Sequence, residues 1–273
     1  MVATPSRRTF IRAGLTSLAA LLARPVVVRA QDASPPRAQD QPAAIRYCIV
    51  NADDLGLSAD IDTGIFEAHD HGIVTSSSLL VDGPDAESAI QQAQQRPKLG
   101  LGIHVAFDER GKLTIDVQDL TAVQREIDRQ LTRFVRLVGE PPTHIDSHHH
   151  LHRLFNVARL FLEAGRRYNV PVRGFSEVVY VGRFYGQPEF GRTDLSKINV
   201  ETLVGMLQAL RPGITEISCH PGHVESRPDA VYNKEREVEL ATLTDDRVKA
   251  VIGSEGIRLI NYRDYAQMVR ARR

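Results

Sequence analysis

The chain is predicted to be an α/β protein, a TIM-like (β/α) barrel with fewer than eight regular units. Short apolar runs of β type alternate with amphipathic helical stretches from residue 45 to residue 273, the pattern of a parallel sheet covered by helices. Four of those runs end in an acid or a histidine, as the strands of such a barrel do where they carry reactive groups. The first run closes on Asn51-Ala52-Asp53-Asp54, without the glycine-rich phosphate turn that a doubly wound open sheet, the runner-up architecture, usually carries.

Composition agrees with a water-soluble globular domain: 42% hydrophobic and 25% charged residues are ordinary usage. Lys+Arg and Asp+Glu are equal at 34 each, so no polyanion-binding field exists and nucleic acid is not an expected partner. The two cysteines, Cys48 and Cys219, fall in interior strands and read as core thiols, with a single bridge left open.

Residues 1–30 are expected to be a signal rather than part of the fold. Ser6-Arg7-Arg8-Thr9-Phe10-Ile11-Arg12 resembles the twin-arginine export signal. An apolar segment follows and stops at Arg24-Pro25, short of the roughly 20 residues that span a bilayer. Val28-Arg29-Ala30 suits a signal peptidase. The resemblance implies the twin-arginine export machinery as a partner, a periplasmic or exported location, and membrane contact only through the signal. Residues 31–44 are rich in Pro, Gln and Ala without periodicity and read as a disordered linker. One barrel domain, residues 45–273, remains.

Within it, residues 46–54 form an apolar run that ends in acid, and 60–71 space their apolar side chains as a helix does. Residues 75–82 read as strand, 85–95 as helix, 99–107 as strand and 121–138 as a long amphipathic helix. After Pro141-Pro142 come a strand at 144–148 and a helix at 154–168. A strand at 170–175, a helix at 200–210, a strand at 216–219, a helix near 232–244, a strand at 257–260 and a last helix from Arg263 complete the alternation. Residues 178–198 exceed the usual βα connection and contain Tyr180, Phe184, Tyr185 and Phe190. A segment of that length at this face is ordinarily functional; a lid, a ligand platform and a subunit contact, as in a homodimer, all stay open.

The richest stretch is His144-Ile145-Asp146-Ser147-His148-His149-His150-Leu151-His152, with five of the ten histidines. It lies between core elements, where a terminal tag would not. The other strand ends supply Asp53-Asp54, His104 and His220. One buried histidine is ordinarily a satisfied core residue; four such ends converging on one face point to a site. A carboxylate and two imidazoles suit a catalytic divalent ion, which lowers the pKa of its water to about 7 and polarises a carbonyl. A second carboxylate can take a proton, and a histidine opposite can give one.

Val50-Asn51-Ala52-Asp53-Asp54-Leu55-Gly56-Leu57-Ser58, Gly72-Ile73-Val74-Thr75-Ser76, Gly102-Ile103-His104, the run from Pro142 to His152, and Cys219-His220-Pro221-Gly222 together resemble the YdjC-like carbohydrate deacetylases, also called ChbG/HpnK deacetylases. The resemblance implies a metal-dependent hydrolase that removes acetyl groups from N-acetylated sugars, oligosaccharide or glycoconjugate, through a metal-activated water. It implies Asp54, His104 and His148 as ligands of one divalent ion, Mg2+ or Zn2+. Asp53 would be the general base, His220 the general acid, and Asp146 would orient a histidine. His149, His150 and His152 would be loop or supporting residues, and His223 would line the rim. Two rivals stay open: a metal-dependent phosphoesterase or amidohydrolase on a similar barrel, and a non-catalytic carbohydrate-binding protein. Leu55 stands where the family usually has an aromatic residue, and an export signal differs from cytoplasmic members acting on imported chitooligosaccharides.

Overall fold

A computed structural model describes residues 45–109, 112–189, 191–225 and 231–272. The signal and linker read from residues 1–44 lie outside the described residues, as does Phe190. One sheet of seven strands runs β6 (Ile145–Ser147), β3 (Gly100–Val105), β2 (Ser76–Leu79), β1 (Arg46–Leu55), β8 (Gly213–Cys219), β7 (Val179–Val181), with β9 (Arg258–Leu259) joined to the amino end of β1. All its ladders are parallel. Beyond β6 the curl continues through a single bridge, Ile145 to Val172. Among the described residues nothing pairs Val172 with β7, so the (β/α) barrel is incomplete at that seam.

Helices cover the sheet in chain order: α1 (Ala59–Asp70), α2 (Ala86–Gln94), α3 (Leu120–Val138), α4 (Phe155–Tyr168), α5 (Val200–Gln208), α6 (Lys234–Thr244), α7 (Asp246–Ser254) and α8 (Tyr262–Ala271). The longest, α3, shows why the pattern is readable. Val123, Ile127, Leu131 and Phe134 recur on one buried face, Asp119 accepts hydrogen bonds from the free amides of Thr121 and Ala122, and Gly139 ends it at φ 87°. No helix among the described residues is long and apolar enough to cross a membrane.

Four elements differ from the expected alternation. Residues 170–175 make only the Val172 bridge, because Pro171 lacks an amide donor and Gly174 turns the chain at φ 73°. The long connection at 178–198 contains a strand, β7, and a one-turn 3-10 helix at Leu195–Lys197. A hairpin of β4 (Asp108–Glu109) and β5 (Lys112–Leu113) follows β3, and α7 was not anticipated. Both cysteines are free and buried; burial pushes the Cys48 thiol up to about 12.

Close approaches explain two glycines, Gly102 of the third motif and Gly64 on α1. A Cβ on Gly102 would meet the His144 ring at 2.2 Å, and one on Gly64 would meet Gly222 Cα at 2.5 Å. The first glycine seats His144 against β3, and the second seats the His220-Pro221-Gly222 turn against α1. A carboxyl pair sits beneath the turn after β1. Asp62 Oδ1 accepts from the Gly56 amide at 2.6 Å, while its Oδ2 and Asp85 Oδ2 are buried without partners. Burial, with Asp85 adjacent, raises Asp62 to about 8. The folded protein therefore keeps a proton that the unfolded chain loses near 3.8, and stability falls as pH rises through that interval. Asp62→Asn is expected to raise the melting midpoint at pH 7–8 and to give no gain at pH 4, checked by thermal denaturation at both pH values.

Candidate active site

Strict strand alternation would send Asp53 and Asp54 to opposite faces. The register between β1 and β2 slips between Ala52 and Leu55, and Asp54 adopts the left-handed φ of 73°. This irregularity at the end of β1 brings both carboxylates, each fully buried, to the neighbourhood of His104. Asp54 Oδ1 lies 3.4 Å from His104 Nε2 and 4.0 Å from His148 Nε2. It has no hydrogen-bond partner although it is buried.

The two imidazoles are braced from behind. His104 Nδ1 is 2.6 Å from Asp146 Oδ1, and His148 Nδ1 is 2.8 Å from Asp108 Oδ1. A carboxylate on Nδ1 fixes the proton there and turns the Nε2 lone pair forward. Both Nε2 atoms thus face the unpartnered oxygen of Asp54. Burial opposes charge on His104, but Asp146 and Asp54 outweigh it and hold that ring at about 10. An entering cation would displace that proton. His148 is the more open member, with 27% of its side chain exposed against 3% for His104, so the mouth of the site lies on its side.

Two arginines fix the acids. Arg173, fully buried, donates from Nη1 and Nη2 to the two oxygens of Asp53 at 2.8 and 2.7 Å. Its Nη2 also lies 2.8 Å from Asp146 Oδ2, and its Nε donates to Glu216 Oε1 at 2.8 Å. Arg236 Nη2 donates to Asp54 Oδ2 at 2.6 Å. Burial disfavours both aspartates as anions, yet the arginines keep Asp53 below the usual carboxylate range and Asp54 well below it. His220 Nε2 stands 3.9 Å from Asp53 Oδ2; burial lowers this ring to about 4 and leaves it neutral.

Among the described residues, donor atoms within 4.8 Å of one another occur as Asp53, His104 and Asp146, and as Asp108, His148 and His149. In the first set Arg173 and the His104 proton already use the carboxylate oxygens. In the second the contact is the brace on His148. Asp54 Oδ1, with the two Nε2 atoms 3.4 and 4.0 Å from it, is a third and looser arrangement.

The structure brings together Asp53, Asp54, His104, His148 and His220, and Asp146 braces a histidine as the resemblance implied. His149 and His150 take left-handed backbone at φ 53° and 54°, which carries the chain around the site; the His149 ring lies on His148 at 3.8 Å. His152 is buried against Ser147. His223 pairs with Glu67 at 3.2 Å, away from the cluster on the half-exposed rim. Arg173, Arg236 and Asp108 were not read from the sequence. For Arg173 a signal existed: a lone cation in the run Val170-Pro171-Val172-Arg173, where a strand charge demands a buried partner.

The fold aligns with a structure described as a cellobiose-phosphate cleavage protein of Enterococcus faecalis, at a TM-score of 0.70 and 27% identity over 81% of this chain and 99% of that one. It also aligns with a family 4 carbohydrate esterase of Streptomyces lividans, at 0.52 and 12% identity over 80% and 93%, a likeness of fold alone. The chain accordingly has the incomplete (β/α) barrel that these structures share. The model of the YdjC-like proteins matches residues 47–254, and the chain belongs to that family. Curated relatives include the carbohydrate deacetylase of Geobacillus stearothermophilus, 33% identical over 82% of this chain and 99% of the relative. That of Thermoanaerobacter pseudethanolicus is 32% identical over 80% and 98%.

Removing the cation that serves three buried acids leaves uncompensated charge. Arg173→Leu is expected to cost about 3–5 kcal/mol, read as a lower urea midpoint, whereas a loss below about 1 kcal/mol would show the network to be dispensable.

Proposed function

We propose that this chain is a metal-dependent hydrolase that removes the acetyl group from N-acetylated sugars. Relatives named carbohydrate deacetylases, about 30% identical over most of the chain, support the reaction. The observation that carries the metal is the buried, partnerless Asp54 Oδ1 facing two imidazole nitrogens whose opposite nitrogens are tied to carboxylates. Asp54, His104 and His148 would hold the ion. Two nitrogen donors favour Zn2+ over Mg2+, which prefers oxygen ligands. When bound, such an ion supplies Lewis acidity to the acetyl carbonyl and to water.

The chain's own residues then divide the proton work. Asp53, ionised and held in place by Arg173, accepts a proton as water adds to the carbonyl carbon. Its basicity is modest for the same reason, so the water must be acidified before transfer. His220, neutral in the free site, takes up that proton from Asp53 across 3.9 Å and delivers it to the sugar nitrogen as the C–N bond breaks, giving acetate and a free amine. The His220 ring sits against Tyr185 and Tyr232, at centroid distances of 5.3 and 5.6 Å, which shields this end of the site from bulk water. A phosphoesterase would release phosphate, and a binding protein would release nothing.

The reading extends to location. The motif Ser6-Arg7-Arg8-Thr9-Phe10-Ile11-Arg12 supports export through the twin-arginine route and a periplasmic site of action.

Acetate release from N-acetylglucosamine and its oligomers, with metal analysis of the same sample, tests the proposal. Asp53→Asn is expected to retain one equivalent of metal and lose at least about 100-fold in kcat; full turnover in that variant removes Asp53 as the base. His104→Ala is expected to lose both metal and turnover. The double change Arg7→Lys and Arg8→Lys should leave the chain in the cytoplasmic fraction of the host cell, and unaltered export would rule out the twin-arginine route.

A further inference from the structure

The connection from β7 to α5 is a fixed wall rather than a lid. Phe184 is fully buried. The Gly186 amide donates to Tyr232 Oη at 2.8 Å, and Gln187 Nε2 donates to Val231 O at 2.8 Å and Glu235 Oε1 at 2.9 Å. Asp194 N donates to Gly186 O at 2.7 Å, which closes the segment on itself. A Cβ on Gly186 would come within 2.8 Å of Glu235 Cγ, so the segment lies tight on α6.

Tyr185, between the buried Phe184 and the anchored Gly186, turns the other way. Its ring is parallel to Tyr232 within 4° at 4.6 Å and stands 5.3 Å from the His220 ring, yet the residue is 36% exposed. It also lines an open cavity of about 840 Å³, together with Gly182, Arg183, Pro188, Lys197 and Asn199. One aromatic ring is thus the shared wall between the candidate active site and a space within the range of about 300–1,000 Å³ that accommodates whole ligands.

We propose that this cavity binds the further sugar units of an oligosaccharide whose N-acetyl group lies at Asp54, His104 and His148, with Tyr185 as the stacking platform that selects for chain length. The inference rests on the deacetylase reading and adds to it where the neighbouring sugar units sit and which residue holds them. A pyranose ring has a face of C–H bonds and an edge of hydroxyls. The face gains dispersion and burial against a flat ring already held by a second aromatic. The hydroxyl edge meets the polar side chains of Arg183, Lys197 and Asn199. Because the wall is bonded to α6 before any ligand arrives, binding does not have to order it.

Two measurements test this. The first is calorimetric titration with cellotetraose and with glucose, which carry no acetyl group and cannot be turned over. The tetraose should bind the wild-type protein and the monosaccharide should not. Tyr185→Ala should weaken tetraose binding about tenfold, and Tyr185→Phe should keep it within about twofold. The second is acetate release from N-acetylglucosamine and its tetramer. The wild-type kcat/KM should favour the tetramer about tenfold, and Tyr185→Ala should lose that preference chiefly through KM. Absent tetraose binding, equal binding by a folded Tyr185→Ala protein, or a preference unchanged in that variant overturns the platform. Tetraose binding without acetate release from any N-acetylated sugar would refute the deacetylase reading and leave the subsite standing.

Discussion

The guanidinium of Arg173 is the group on which the interior of this barrel depends. It reaches Asp53 at the end of β1, Asp146 on β6 and Glu216 on β8, and so ties together strands from both halves of the sheet. Closed barrels of this class fill that space with layers of branched apolar side chains. Here the filling beneath the site is ionic and polar. Asn51 donates to Asp53 and Ser78, Ser78 donates to Asp146, and Tyr262 donates to Glu216 from α8. A buried ion network of this kind adds little net stability, since desolvation opposes its Coulombic gain, but breaking one member is costly. What it gives is position. The acid facing His220 and the acid bracing His104 are set by the same cation.

Backbone strain is concentrated in the same place. Of the four described non-glycine residues with positive φ, Asp54, His149 and His150 belong to the site, and Asn169 is a helix C-cap. Each such residue costs of order 1–3 kcal/mol and persists where its surroundings fix it. Arg236 holds the Asp54 carboxylate, and the His148–Asp108 contact holds the turn that leads into His149. The strained segments are the ones that must point neighbouring side chains the same way, which regular strand geometry forbids.

Much of this was legible beforehand. Asp53, Asp54, His104 and His148 could be found because each ends an apolar run, and a polar side chain there needs a reason. Asp146 was readable as a carboxylate that orients a histidine, but not that the histidine is His104, 42 residues away on β3. The helices were readable wherever one face was apolar, as in α3. The irregular segment around Val172 was not, because its apolar residues match a strand while Pro171 and Gly174 prevent one. Arg173 and Arg236 were hidden by distance along the chain. Their aspartates lie 120 and 182 residues away, and no local pattern encodes such a pairing.

The alternation of strands and helices, the kinds of donor available and the strand ends that carry them are all written locally in the chain, because burial and periodicity are local properties. Which oxygen of which aspartate is left without a partner, which carboxylate stands behind each imidazole, and that Tyr185 faces outward beside His220 emerge from the folded chain alone. Those outcomes depend on where β1 slips its register and where the barrel fails to close, and both are set by packing between segments far apart in the chain.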